Sequence, residues 1–131
     1  MRILVIDDDL VCRKLMRGAL HAHGEVVEAP DGKIAIAAFR DALIAKQPFH
    51  LVTLDIMMPD MDGHSVLLAL RSMEQVAGIN PGHGSRVFMT SALNDGKSVL
   101  GAFRADATGY LTKPIDLEKL WQLCRDNGLI P

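Results

Sequence analysis

The stretch LDIMMPDMDG, residues 54–63, follows directly on Leu51, Val52 and Thr53, which together with Leu54 form a largely apolar run. A short apolar run without alternation is typical of a strand that is buried on both faces of a sheet. The run ends abruptly at Asp55, and the residues after it have the composition of a turn. An acid in this position is a helix cap, a metal ligand or a nucleophile, and the rest of the chain must decide among these.

Length and composition indicate one globular domain, residues 1–131. The chain is 49% hydrophobic with a formal net charge of -2, and it has no cluster of lysines and arginines, which argues against direct binding to nucleic acid. No signal peptide is recognisable and no apolar run reaches the roughly 20 residues of a membrane span, so we expect a cytoplasmic protein without a membrane partner. The distant cysteines, Cys12 and Cys124, are expected to be reduced and buried.

Strand-like and helix-like segments alternate along the whole chain. The strands are predicted at residues 3–6, 25–29, 51–54, 86–90 and 110–112, and the helices at residues 9–23, 33–46, 64–76, 95–107 and 116–126. Short connections in such an alternation require parallel strands and right-handed crossovers. The predicted fold class is therefore α/β, an open doubly wound sheet of five parallel strands with five helices.

Polar residues follow the predicted strands at their carboxyl ends, where ligands bind in sheets of this kind. They are Asp7, Asp8 and Asp9, then Asp55, then Thr90 and Ser91, and finally Lys113. Crowded carboxylates need a cation, and hard oxygen ligands favour Mg²⁺. A divalent ion beside a carboxylate, a hydroxyl and a lysine is suited to phosphoryl transfer onto the carboxylate.

Four motifs resemble those of a known family when they are taken in order. ILVIDDD, LDIMMPDMDG, MTSA and YLTKPI are similar to the motifs of the receiver domain of bacterial two-component response regulators, with a CheY-like, flavodoxin-like fold. The resemblance extends from residue 2 to about residue 127. It implies that Asp55 accepts a phosphoryl group from a sensor histidine kinase or a histidine phosphotransfer protein. It also implies a chain that catalyses only its own phosphorylation and dephosphorylation.

The resemblance assigns the metal site and the switch residue by residue. Asp8 would bind Mg²⁺ directly and Asp7 mainly through water, with Asp55 and the backbone carbonyl of Met57 as further ligands. Lys113 would hold a phosphoryl oxygen, and its bond to Pro114 is expected to be cis. Ser91, rather than Thr90, would be the hydroxyl that responds to phosphorylation, and Tyr110 the aromatic residue that changes rotamer with it.

Several residues have simpler explanations. Asp9 is interpreted as the N-cap of the first helix, and Asp60 and Asp62 as parts of a solvated loop that caps the third. Met57 lies two residues after Asp55, and Leu93 lies two residues after Ser91. Both are apolar, and we expect them to hinder the water that would hydrolyse phospho-Asp55.

Two other functions remain open at this point. One is an aspartyl-phosphate hydrolase of haloacid-dehalogenase type, although Met57 stands where that chemistry needs a second acid. The other is a flavodoxin-like binding module that is never phosphorylated. The receiver interpretation predicts signalling to a downstream protein or to an output domain, and either a monomer or a dimer that depends on phosphorylation.

Overall fold

A computed structural model describes residues 1–92 and 107–131 of the chain. Five strands form one sheet in the order β2-β1-β3-β4-β5, and all neighbouring strands are parallel. The strands are β1 (Arg2–Ile6), β2 (Glu25–Ala29), β3 (Leu51–Asp55), β4 (Arg86–Ala92) and β5 (Gly109–Lys113). The predicted doubly wound parallel sheet is confirmed. Strand β4 extends two residues beyond the predicted end, so Ser91 lies inside the strand.

Four helices are described: α1 (Leu10–Leu20), α2 (Gly32–Ile44), α3 (Gly63–Val76) and α4 (Leu117–Asp126). A short 3-10 helix, His21–His23, extends α1. The further helix predicted at residues 95–107 lies largely outside the described residues. Each of the four helices begins after an aspartate whose side chain accepts a hydrogen bond from a backbone N–H of the first turn; these caps are Asp9, Asp31, Asp62 and Asp116. A cap of this type stabilises a helix by about 1 kcal/mol.

The hydrophobic core is divided between the two faces of the sheet. Successive residues of β1 alternate between the faces, so Leu4 and Ile6 belong to one cluster while Ile3 and Val5 belong to the other. The first cluster packs under α2 and α3, and the second packs under α1 and α4. Every residue of β3 is buried, as the unbroken apolar run predicts. Asp55 therefore emerges at the carboxyl end of a strand that is covered on both faces.

The tertiary structure corrects one smaller prediction and decides which side of α1 is buried. The cysteines carry free thiols, but only Cys124 is buried, and Cys12 is half-buried. On α1 the side chains of Met16 and Leu20 face the core, whereas Val11 and Leu15, which have the same helical spacing, are exposed.

Candidate functional site

Three carboxylates meet at the carboxyl edge of the sheet. Oxygen atoms of Asp7, Asp8 and Asp55 all lie within 4.8 Å of one another. The convergence follows from the sheet, because β1 and β3 are neighbours and Ile6 pairs with Leu54 immediately before the acids. Asp7 and Asp55 are buried, while Asp8 is exposed. The predicted cluster is therefore assembled, with one carboxylate accessible to solvent.

Lys113 reaches this cluster from the end of β5. Its Nζ atom lies 2.9 Å from Oδ2 of Asp7 and 3.4 Å from Oδ2 of Asp55. Burial alone would lower the pKa of Lys113, but the hydrogen bond with Asp7 and the charge of Asp55 raise it above its ordinary value. The lysine is consequently a fixed positive charge. The peptide bond between Lys113 and Pro114 is cis, as expected.

The electrostatics at Asp55 are unbalanced. Burial, followed by the negative charge of Asp7, raises the pKa of Asp55 to about 7, although Lys113 acts in the opposite direction. The backbone N–H of Met57 donates to Oδ1 of Asp55 over 3.3 Å. One lysine therefore does not neutralise the negative charge of the three carboxylates. The carboxylate oxygens are the hard ligands that Mg²⁺ prefers. The residues present fit a divalent cation.

Ser91 carries an unsatisfied hydroxyl close to the end of β4. The side chain is 1% exposed, and within residues 1–92 and 107–131 its Oγ atom has no hydrogen-bond partner. Tyr110 is half-buried against the cluster under α2 and α3, and it pairs in register with Met89 of the same cluster. Since residues of a strand alternate between faces, Ser91 shares this face with Met89. Thr90 is accordingly directed to the other face.

The other acids near the cluster cap helices or lie in the loop after β3. Asp9 accepts from the backbone N–H of Cys12 over 3.1 Å, which confirms the predicted cap, and this hydrogen bond lowers the pKa of Asp9. Asp62 likewise accepts from the backbone N–H of Ser65 at the start of α3. Asp60 lies exposed in the loop between β3 and α3.

Gly63 brings the start of α3 against the strand end that carries Asp55. A Cβ atom at this position would collide with the carbonyl oxygen of Asp55 and would lie 2.8 Å from Cα of Ile56. The backbone N–H of Gly63 also donates to the carbonyl of Ile56 over 2.8 Å. Gly63 is thus required by close packing against the main chain.

Sequence reasoning missed the role of Arg13. Its guanidinium donates to the carbonyl oxygen of Asp7 over 2.8 Å and to Glu28 over 3.1 Å. Lys14 and Arg17 also pair with Glu28, and the hydrogen bond from Lys14 is the main cause that lowers the pKa of this acid. The available signal was a row of basic residues on a helix and an acid, Glu28, within a neighbouring strand. Arg13 therefore fixes the main chain that presents Asp7.

The fold and the site together define a doubly wound α/β domain with a carboxylate cluster and a lysine at its carboxyl edge. A sequence model of the response regulator receiver domain matches residues 3–125. The chain belongs to this family, and the resemblance of the four motifs is confirmed.

Relatives agree with this assignment. The chemotaxis protein CheY of Bacillus subtilis is 31% identical over 121 residues, which cover 91% of this chain and 90% of that protein. The regulatory protein VanRB of Enterococcus faecalis is 32% identical over 98% of this chain, which spans only 54% of that protein. The structure of chemotaxis protein CheY4 of Vibrio cholerae superposes with a TM-score of 0.76 at 26% identity, covering 95% of this chain and 96% of that one.

Proposed function

We propose that this receiver domain accepts a phosphoryl group on Asp55 from a phosphohistidine of a sensor histidine kinase or a histidine phosphotransfer protein. The observation that carries the proposal is the meeting of Asp7, Asp8 and Asp55 within 4.8 Å, with the ammonium of Lys113 between two of them. A carboxylate in such a cluster can attack phosphorus while a fixed cation neutralises the negative charge on the phosphoryl oxygens.

The transfer exchanges one bond to phosphorus for another. The bond between the donor imidazole nitrogen and phosphorus breaks, a bond between a carboxylate oxygen of Asp55 and phosphorus forms, and the imidazole keeps the electron pair. Lys113 holds a phosphoryl oxygen during this exchange. Asp7, Asp8, Asp55 and the carbonyl of Met57 would hold Mg²⁺, which supplies charge neutralisation at the phosphoryl group when it is bound.

Ser91 supports a switching role. A buried hydroxyl without a partner costs about 1–3 kcal/mol, and a phosphoryl oxygen on Asp55 would offer it an acceptor. Movement of Ser91 would alter the face that it shares with Met89 and Tyr110, so Tyr110 would turn inward. The response is a shift between two packings, and a downstream protein or an output domain must prefer one of them.

The exposed side of α1 supports docking of the phosphodonor. Leu10, Val11 and Leu15 are more than half exposed beside the acidic edge, and Met57 adds a fourth exposed apolar side chain. An apolar helix face beside the reactive carboxylate is suited to a partner that presents a helix.

The wider role rests on the same proposal. The chain spans about half the length of VanRB, so the downstream target or output domain is not defined by these relatives. No helix in residues 1–92 or 107–131 combines the length and apolarity that crossing a bilayer requires. The cytoplasmic location, the single domain of residues 1–131, and the choice between a monomer and a phosphorylation-dependent dimer stay predictions.

The test is modification by a small phosphodonor. Acetyl phosphate with Mg²⁺ should add one phosphoryl group to the wild type, detected by intact mass, and beryllofluoride with Mg²⁺ should shift its NMR spectrum. Asp55→Ala should respond to neither, whereas Asp60→Ala, a neighbouring loop acid, should respond like the wild type. Absence of any Mg²⁺-dependent response in the wild type would favour an unphosphorylated binding module. Continuous release of phosphate over many turnovers would favour a hydrolase.

A further inference from the structure

A cavity of about 850 Å³ lies at the edge of the sheet opposite the acidic cluster. Its described walls come from the second half of α3, the loop of residues 78–85, the start of β4, Thr108 and Asn127. Asp55 and the other proposed phosphorylation residues are not among these described walls. A cavity of this volume accommodates a small organic molecule.

The loop that closes the cavity is held by a half-buried ion pair. Glu74 is 5% exposed and accepts from the backbone N–H of Ser85 over 2.7 Å and from Arg71 over 2.8 Å. Arg71 also donates to the carbonyl of Ser85 over 2.8 Å. A side chain at Gly84 would collide with the Glu74 carboxylate. The wall is therefore a fixed structure with a defined shape.

The charge of the described lining is positive. It contains the guanidinium groups of Arg71 and Arg86 and one carboxylate, Glu74, which is already engaged by Arg71 and Ser85. Arg86 donates to the carbonyl oxygens of Gly84 over 3.1 Å and Gly82 over 3.5 Å. No carboxylate in residues 1–92 or 107–131 forms an ion pair with it. A guanidinium has five N–H donors, and within residues 1–92 and 107–131 only Nη1 of Arg86 donates hydrogen bonds, so Nε and Nη2 are left for a ligand.

We propose that this cavity binds a small organic anion whose carboxylate or phosphate group meets Arg86. An arginine binds such groups with two parallel hydrogen bonds. Gln75, Asn80 and Asn127 line the same space and supply amide donors and acceptors, and Leu68 and Ile79 provide apolar contact for the body of the ligand. Arg86 begins the strand that carries Ser91, and five steps along a strand span roughly 16 Å. The cavity is therefore a second site, separate from Asp55.

The experiment is an NMR titration with two probes, citrate and inorganic phosphate, in the absence of Mg²⁺. Saturable shifts at the amides of residues 78–86 and at Nε of Arg86 are expected for at least one probe. Asp55→Ala should bind as the wild type does, which separates this result from the phosphorylation of Asp55. Arg86→Gln should weaken binding at least tenfold, whereas Arg40→Gln, a surface arginine on α2, should leave it unchanged.

Two variants of Leu68 with opposite charges test the same proposal without replacing Arg86, so a folding defect of the arginine variant does not decide the result. Leu68 is 58% exposed and lines the cavity, so either charge is tolerated there. Leu68→Glu should weaken binding several-fold by repulsion, and Leu68→Lys should retain or strengthen it. The proposal is overturned if neither probe saturates by ~20 mM. It is equally overturned if the shifts centre on Asp55 and Lys113, or if the two Leu68 variants bind alike.

Discussion

Lys113 lies closer to Asp7 than to Asp55, because its Nζ atom is 2.9 Å from the first carboxylate and 3.4 Å from the second. The positive charge of Lys113 therefore neutralises Asp7 more effectively than Asp55, the proposed phosphoacceptor. This arrangement is consistent with the raised pKa of Asp55, whose causes are burial and the charge of Asp7.

Asp55→Asn should stabilise the metal-free protein at pH 8 and have little effect at pH 4. The folded protein holds the Asp55 proton up to a pKa of about 7, whereas the unfolded chain releases it near 3.8. The folded state thus binds more protons between these values, and the free energy of unfolding falls as the pH rises through this window. The gain at pH 8 over pH 4 should be about 2–4 kcal/mol.

Urea unfolding at several pH values, with a chelator present, measures this difference. Asp60→Asn, in the exposed loop, is the control for removal of an acid away from the cluster. A flat profile for Asp55→Asn would contradict the raised pKa.

Mg²⁺ should raise the stability of the wild type more at pH 8 than at pH 5, because protonation of Asp55 removes a charged ligand. At a free concentration of ten times Kd, the gain in the free energy of unfolding is about 1.4 kcal/mol. Asp8→Asn should largely abolish the Mg²⁺ effect in thermal unfolding. Asp41→Asn, an exposed acid of α2, should retain it, and an equal loss in both variants would point to nonspecific ion binding.

Ser91→Ala should separate stability from switching. Removal of a buried hydroxyl that has no partner among the described residues should stabilise the unphosphorylated protein by about 1 kcal/mol. The variant should still accept a phosphoryl group from acetyl phosphate, yet the NMR shifts of Tyr110 on beryllofluoride addition should be lost. Full wild-type shifts at Tyr110 in this variant would remove Ser91 from the proposed switch.

Met57→Asn should shorten the life of phospho-Asp55 several-fold. The exposed side chain of Met57 is 63% accessible beside the site, where an apolar group hinders an attacking water. Leu93, the second residue expected to act in this way, lies outside the described residues. Loss of the phosphoryl group, followed by intact mass, provides the measurement, with Val76→Asn at the exposed end of α3 as the control. Equal or slower loss from Met57→Asn would show that the methionine has no such role.

Gly63→Ala should destabilise the fold by about 2 kcal/mol or more, because the new methyl group would press on the main chain of Asp55 and Ile56. The acceptance of a phosphoryl group should fall with it, since Asp55 must move. Gly18→Ala in α1, where a Cβ atom meets nothing within 4 Å, is the matched control and should be neutral or stabilising in urea unfolding. A Gly63 variant as stable as the wild type would show that the loop relaxes freely.

The sequence predicts the sheet and the acidic edge because each depends on a local pattern. An unbroken apolar run before Asp55 predicts a strand covered on both faces, and the topology then brings the strand ends together. The exposed side of α1 is not predictable in this way, because Val11 and Met16 belong to two apolar rows with equal spacing, and only tertiary packing selects between them. The contact of Glu74 with Ser85 was missed for a related reason, since it depends on how the loop of residues 78–85 folds back onto α3.

The four aspartate caps have an effect beyond the ends of their own helices. In a parallel α/β sheet every helix begins at the edge where the strands end, so Asp9, Asp31, Asp62 and Asp116 lie around the same rim as Asp7, Asp8 and Asp55. Among the described residues Arg86, which forms no ion pair with a carboxylate, lies at the other end, so these side chains distribute charge unequally along the strand axis. A domain with such a charge distribution experiences a torque in the field of a charged surface, which orients the domain before contact is made.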